Sequence, residues 1–222
     1  MKKRVSSPRL DGSRSRFHCT VNGELAFVSS LGDLHYRRKG KCCSLSATMM
    51  DRLSEMAFLR LFIAWEEFLN ASFEEYLITA PGKTAKPRIA VLSSDRQCAK
   101  DVILGEKRQF VEWSDPAIVR QRAAIFFKGG EPFESALSIM LVHLNRMRTV
   151  RNRTVHHSDY AADKFHSMIR ELYGQARKMT PGGFLRDTPP APLIPPGQPT
   201  ANTSVFELFA QILMAGSKKI VP

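Results

Sequence analysis

This sequence predicts an all-α fold, an up-and-down bundle of helices, on three observations. From Ser46 to Thr79, Met50, Leu53, Ala57, Leu61, Ala64, Phe68 and Ala71 recur every three or four positions, the period of one helix face. Between 114 and 158 two proline-led starts, Ser114-Asp115-Pro116 and Pro132, each open a run of the same period. After Ser158-Asp159 the period returns, with Phe165, Met168, Ile169 and Leu172 as the apolar set.

The elements are expected in the following order. Residues 1–45 form a basic, partly disordered arm: residues 1–20 are basic and rich in serine, and Arg37-Arg38-Lys39-Gly40-Lys41 add a second cluster. Within the arm, Leu25-Ala26-Phe27-Val28 fits a strand or a short helix equally well. The first long helix follows. Phe58, Leu59, Phe62, Ile63 and Trp65 broaden its stripe, Glu66, Glu67, Glu74 and Glu75 mark its wet side, and Pro81-Gly82 stops it. Residues 80–113 are ambiguous, and Ile89-Ala90-Val91-Leu92 suits a short strand or a helical start.

A helix then opens at Pro116 behind the capping Asp115, carries Ile118, Val119, Arg122, Ile125 and Phe126, and ends at Gly129-Gly130. The next runs from about Phe133 to His157, with a stripe of Leu137, Met140, Leu141, Leu144, Met147 or Arg148, Arg151 and Val155. Another spans Tyr160 to Lys178. Together, residues 46–178 are expected to be the helical domain. Seven prolines between Pro181 and Pro199 then predict a linker of polyproline II character over 179–203. Residues 204–222 hold a short amphipathic helix (Val205, Phe206, Phe209, Ile212, Leu213) that either docks on the body or serves a partner.

Composition narrows the partner. The 222 residues suffice for one domain with a core plus extensions. The net charge of +12 favours a polyanion, nucleic acid or an anionic membrane surface. Residues 1–41 hold ten Lys/Arg against three acids, and residues 42–222 hold 23 against 18, so the excess is concentrated in the arm and in the run around Arg151. The arm has no apolar face, which weighs against a membrane surface. No apolar run reaches the 18 residues of a membrane span, and no apolar core follows the basic start as in a secretory leader. The four cysteines (Cys19, Cys42, Cys43, Cys98) and the histidines do not fall at metal-ligand spacing. Free thiols in a reducing cytosol are the expectation, with neither metal nor cofactor.

The chemistry-bearing stretch is Arg151-Asn152-Arg153-Thr154-Val155-His156-His157. It closes a run from Ser135 to Ser158 that contains no acidic residue but holds Arg146, Arg148, Arg151, Arg153 and His143, His156, His157. An Arg and a His five positions apart occur by chance, and cations in the last turn of a helix often do no more than complement its dipole. Placement adds weight. Arg151 continues the apolar stripe, where a guanidinium needs a carboxylate, an interface or an anionic ligand.

The stretch resembles the R-x4-H motif of HEPN-domain ribonucleases, with a polar residue after the Arg: Arg151, Asn152 and His156 match it. The earlier Ala64 to Leu77 (AWEEFLNASFEEYL) resembles the first long helix of the RiboL-PSP-HEPN branch, and the surroundings of Trp113, Ile118 and Phe126 are compatible with its middle. The resemblance covers about residues 46–178. It implies a HEPN-like bundle that dimerises through the motif-bearing helix, and a metal-independent endoribonuclease acting on RNA. His156 would serve as general acid or base, Arg151 would hold the scissile phosphate, and Asn152 would orient groups at the site. The RNA's own 2′-OH would be the nucleophile. Arg146, Arg148, Arg153 and His157 would supply a positive, RNA-binding surround. A cytoplasmic toxin or anti-phage defence effector, with an antitoxin or another defence protein as partner, is the implied setting. The chain departs from some HEPN toxins, which carry a Tyr two residues after the His. Here that position is Ser158, and Tyr160 stands four after His156. Two other readings stay open: a non-catalytic HEPN-type module that holds RNA or a nucleotide, and a helical interaction protein whose basic run is a solvated face.

Overall fold

A computed structural model describes residues 8–37, 45–78, 96–104, 111–197 and 203–222. The protein is an all-α helical bundle with no strand among the described residues. Its helices are α1 (Pro8–Arg37), α2 (Ala47–Ile78), α3 (Arg96–Leu104), α4 (Pro116–Phe126), α5 (Phe133–Val155), α6 (Asp159–Tyr173), α7 (Pro181–Arg186) and α8 (Val205–Ile220). Two short 3-10 turns, Lys128–Gly130 and Ala191–Leu193, complete them. No described helix is long and apolar enough to cross a membrane. The chain divides into two compact units. One comprises Met1–His18, Ala64–Val142 and Met214–Pro222, the other Cys19–Ile63 and His143–Leu213.

In the first unit the core is aromatic. Phe73 lies against Trp113, Phe127 and Phe133, with ring centroids 5.4, 4.8 and 5.0 Å away. Phe17 of α1 stacks on Phe68 at 5.3 Å. The start of α4 follows the expected chemistry, since Asp115 accepts from the Ala117 N–H and Pro116 fills the first helical position. Arg120 binds both carboxylate oxygens of Glu134, at 3.1 and 3.0 Å, which joins α4 to α5. The last turn of α8 is tied down as well: Tyr76 donates to the Ile220 carbonyl and Arg14 to that of Val221, each at 2.6 Å.

In the second unit Phe58 meets Phe209, and Phe184 meets both Phe165 and Phe209. α7 docks on α2 through polar contacts. Thr180 donates to Asp51 at 2.6 Å, the Gly182 N–H to Glu55 at 2.9 Å, and Arg186 pairs with Asp51. Glu24 of α1, buried, pairs with Arg60 of α2 at 3.0 Å.

Several expectations change. The N-terminal region is not a disordered arm over residues 8–37 but the helix α1. Leu10, Phe17, Val21 and Leu31 are buried along it, and Leu25–Val28 is helical and not a strand. Arg9 and Arg16 are exposed along it, and such charge density masks the apolar period in the sequence. The proline-rich stretch is not an open linker. Thr180 caps α7 and Pro181 takes its first position, while Phe184, Leu185 and Leu193 are buried. α6 ends at Tyr173 and not at Lys178, because Gly174 adopts the left-handed conformation at φ 70° and closes it. Residues 1–7, 38–44, 79–95 and 105–110, including Cys42, Cys43, Ile89–Leu92 and most of the second basic cluster, lie outside the described residues.

Gly23 sits in the interior of α1, and a Cβ placed there meets nothing within 4 Å. Gly23→Ala is therefore expected to raise stability by about 0.5–1 kcal/mol, through lower backbone entropy in the unfolded chain. A higher midpoint in urea unfolding would register it.

Candidate functional site

Every residue of the candidate site lies in the C-terminal part of α5 or just past it, within the second unit. The buried side of α5 there is Leu144, Met147 and Val150. The stripe thus runs through Val150, and Arg151 flanks it, half-buried, while Val155 is exposed. This corrects the expected line of Arg151 and Val155 and still leaves the guanidinium at an apolar border.

Arg151 donates from Nη1 to Asn152 Oδ1 at 3.2 Å. Among the described residues no carboxylate pairs with it. Asn152 also receives the His156 N–H on its carbonyl oxygen, at 2.8 Å, so the helical turn continues to His156 past the end of α5. Arg153 donates to the His156 carbonyl at 3.3 Å, closing the helix end with a cation where the dipole favours one. His156 and His157 are exposed. Arg151 and His156 stand roughly 140° apart around the helix axis at ~100° per residue. One chain therefore brings Arg151 and Asn152 together and sets His156 to one side of them.

The surrounding cations differ. Arg146 is largely buried. It donates to Glu171 of α6 at 2.9 Å and to the Pro192 carbonyl at 2.8 Å, so its charge is already met inside the unit. Arg148 is half-buried and engaged. Among the described residues no three His, Cys, Asp or Glu side chains gather as a metal site requires.

His143, two turns before Arg151, was not singled out by its spacing. Its Nδ1 is buried without a hydrogen-bond partner among the described residues. Burial, and then the nearby Arg146 guanidinium, hold the imidazole below its usual 6.5. The unfolded chain therefore takes up a proton at higher pH than the folded one. Stability is full above about pH 6.5 and is lost as pH falls from there to the folded pKa, below which the loss is constant. His143→Gln should flatten the fall in urea midpoint between pH 7.5 and pH 5. His18, held low by burial, Lys218 and Arg14, accounts for a remaining slope that His18→Gln removes.

No known protein family, curated protein or solved structure matches the chain.

Proposed function

We propose that this protein is a metal-independent endoribonuclease of the HEPN type. One observation carries the reading. Arg151 is a half-buried cation whose only side-chain partner among the described residues is the neutral Asn152, on a run of 24 residues without an acid. A guanidinium so placed is suited to a phosphodiester, which its planar fork can hold through two oxygens.

In this reading His156 takes the proton from the RNA 2′-OH or gives one to the leaving 5′-oxygen. Arg151 neutralises charge on the phosphorus oxygens, and Asn152 fixes the guanidinium. The 2′-oxygen attacks phosphorus as the P–O5′ bond breaks. The products are a 2′,3′-cyclic phosphate and a 5′-OH. The angle between Arg151 and His156 is met by pairing two copies of the chain, so that each groove takes its Arg from one protomer and its His from the other. Arg148, Arg153 and His157 add positive field, and Arg146 adds less because Glu171 meets it. The biological setting we assign is a toxin or anti-phage defence effector, held in check by an antitoxin or another defence protein.

The same angle favours a second reading, a non-catalytic module that binds RNA. Incubating the protein with RNA in EDTA separates the two. Cleavage leaving cyclic-phosphate ends supports the nuclease. Binding that weakens with salt, without cleavage, supports the module. Neither result would remove RNA as the partner.

A further inference from the structure

Tyr160 is 72% exposed, the most of any large apolar or aromatic side chain described. It sits in the first turn of α6, four residues after His156, within the second unit. The buried set of α6, Ala161, Phe165, Met168, Ile169 and Leu172, faces elsewhere on the helix. A single exposed aromatic is ordinary on a protein surface. Its surroundings give this one a use.

Arg146 of α5 reaches Glu171 of α6 at 2.9 Å, and residues 156–158 join the two helices. The helices therefore run antiparallel. Seven residues along each from that pair, Arg153 comes level with Lys164, and four more bring His157 level with Tyr160. Lys164 Nζ stands over the Tyr160 ring, 5.5 Å from its centroid. Arg153 gives one N–H to the His156 carbonyl and keeps the rest. Glu171 is already met by Arg146. The acids nearest in sequence, Asp159 and Asp163, stand roughly 100° and 60° round α6 from Tyr160, at ~100° per residue. Lys164 and Glu171 stand roughly 40° and 20° round in the opposite sense, towards α5. No other large apolar side chain of α6 is exposed. Val155, the exposed apolar residue at the end of α5, lies roughly 160° round that helix from Arg153. The ring is thus set among cations and not in an apolar patch of the kind that a protein or a lipid surface covers.

We propose that Tyr160 is a base-stacking residue: an unpaired base of the RNA lies against its ring, while Lys164 and Arg153 meet the phosphates that flank that nucleotide. The residue types fit this chemistry. Every base has a π face that stacks on an aromatic ring, and cations track the backbone beside it. A base within a duplex has both faces covered by its neighbours, so this surface takes single-stranded or looped RNA. The inference rests on RNA being the partner, and not on its being cleaved.

The test measures binding of the full chain, by fluorescence anisotropy, to a short labelled single strand of 2′-O-methyl RNA. Such a strand lacks the free 2′-OH and is not cleaved. A blunt duplex of the same strand is the comparison probe. Tyr160→Ala should weaken binding of the single strand at least fivefold, and should leave whatever binding the duplex shows within about twofold. Tyr160→Phe, which keeps the ring, should stay within about twofold of the wild type. Tyr160→Trp should bind, with its added emission quenched by the strand, a signal that a loss of stability does not produce. His166→Ala removes an exposed ring from the far flank of α6 and should leave binding unchanged. Urea midpoints of the variants should stay at the wild-type value, since the ring is exposed. Wild-type affinity in Tyr160→Ala would overturn the proposal and leave RNA as the partner. Tyr160→Phe binding as poorly as Tyr160→Ala would overturn it too, as would equal weakening for single strand and duplex. Failure of the wild-type chain to bind either probe would remove RNA itself, and this inference with it. A wild-type dimer in sedimentation that Tyr160→Ala converts to monomer would assign the ring to a second copy and overturn the proposal.

Discussion

Arg151→Ala should lower RNA cleavage in EDTA by about 10²- to 10³-fold, the usual loss when a group that stabilises transition-state charge is removed. His156→Ala should cost about 10²- to 10⁴-fold, as expected for a proton-transfer group. Neither change should disturb folding. His156 is exposed beyond the end of α5, and Arg151 is half-buried with only Asn152 as a side-chain partner. Urea midpoints therefore separate catalysis from collapse. Mixing the two inactive variants gives a sharper result. If each site takes Arg from one protomer and His from the other, a heterodimer rebuilds one intact site, and a one-to-one mixture regains roughly a quarter of the wild-type rate. A mixture as dead as its parts would place both groups in one chain, against the two-fold site.

Gly182→Ala should lower stability by about 3 kcal/mol, at the upper end of overpacking penalties. A Cβ at Gly182 would lie 2.5 Å from the Asp51 Cα and carbonyl carbon, and nearer still to the carbonyl oxygen. These are backbone atoms within α2, so no rotamer relieves the overlap. α7 would have to lift from α2, and the links from Thr180, Gly182 and Arg186 to Asp51 and Glu55 would stretch together. Gly183→Ala is the control. Its nearest neighbour is the Thr180 Oγ1, 2.9 Å away, a side-chain atom that can turn. Urea unfolding of the two variants should show a large loss for the first and a smaller one for the second.

The parts legible in the sequence were those where period and punctuation agree. α2 shows a long apolar repeat, and α4 joins the same period to a capping Asp followed by proline, whereas the Pro81-Gly82 stop lies outside the described residues. α1 is hard to see in the sequence because its buried residues Leu10, Phe17, Val21 and Leu31 are spread among Arg and Ser. Their spacing of seven and four is diluted by that polar composition. The proline-rich segment hides its packing for a related reason. Pro181 stands at a first helical position, where no N–H is needed, and the other prolines described there lie outside α helices, so a high count is compatible with packing. At the candidate site, the acid-free run around Arg151 was visible in sequence. The Glu171 that meets Arg146 was not, because it arrives from the next helix. No one-dimensional spacing reports such a neighbour.

The packing of α7 and α8 decides where the protein can be cut. Phe184 and Phe209 cover Phe165 and Phe58, and Asp187 accepts from both the Tyr173 hydroxyl and the Val205 N–H. A chain shortened at Lys178 would lose that cover, uncovering aromatic surface worth ~1.5–3 kcal/mol for each large side chain. Gene trimming that ends at α6 therefore removes a wall of the building and not a trailing cord, and its product should partition to the insoluble fraction.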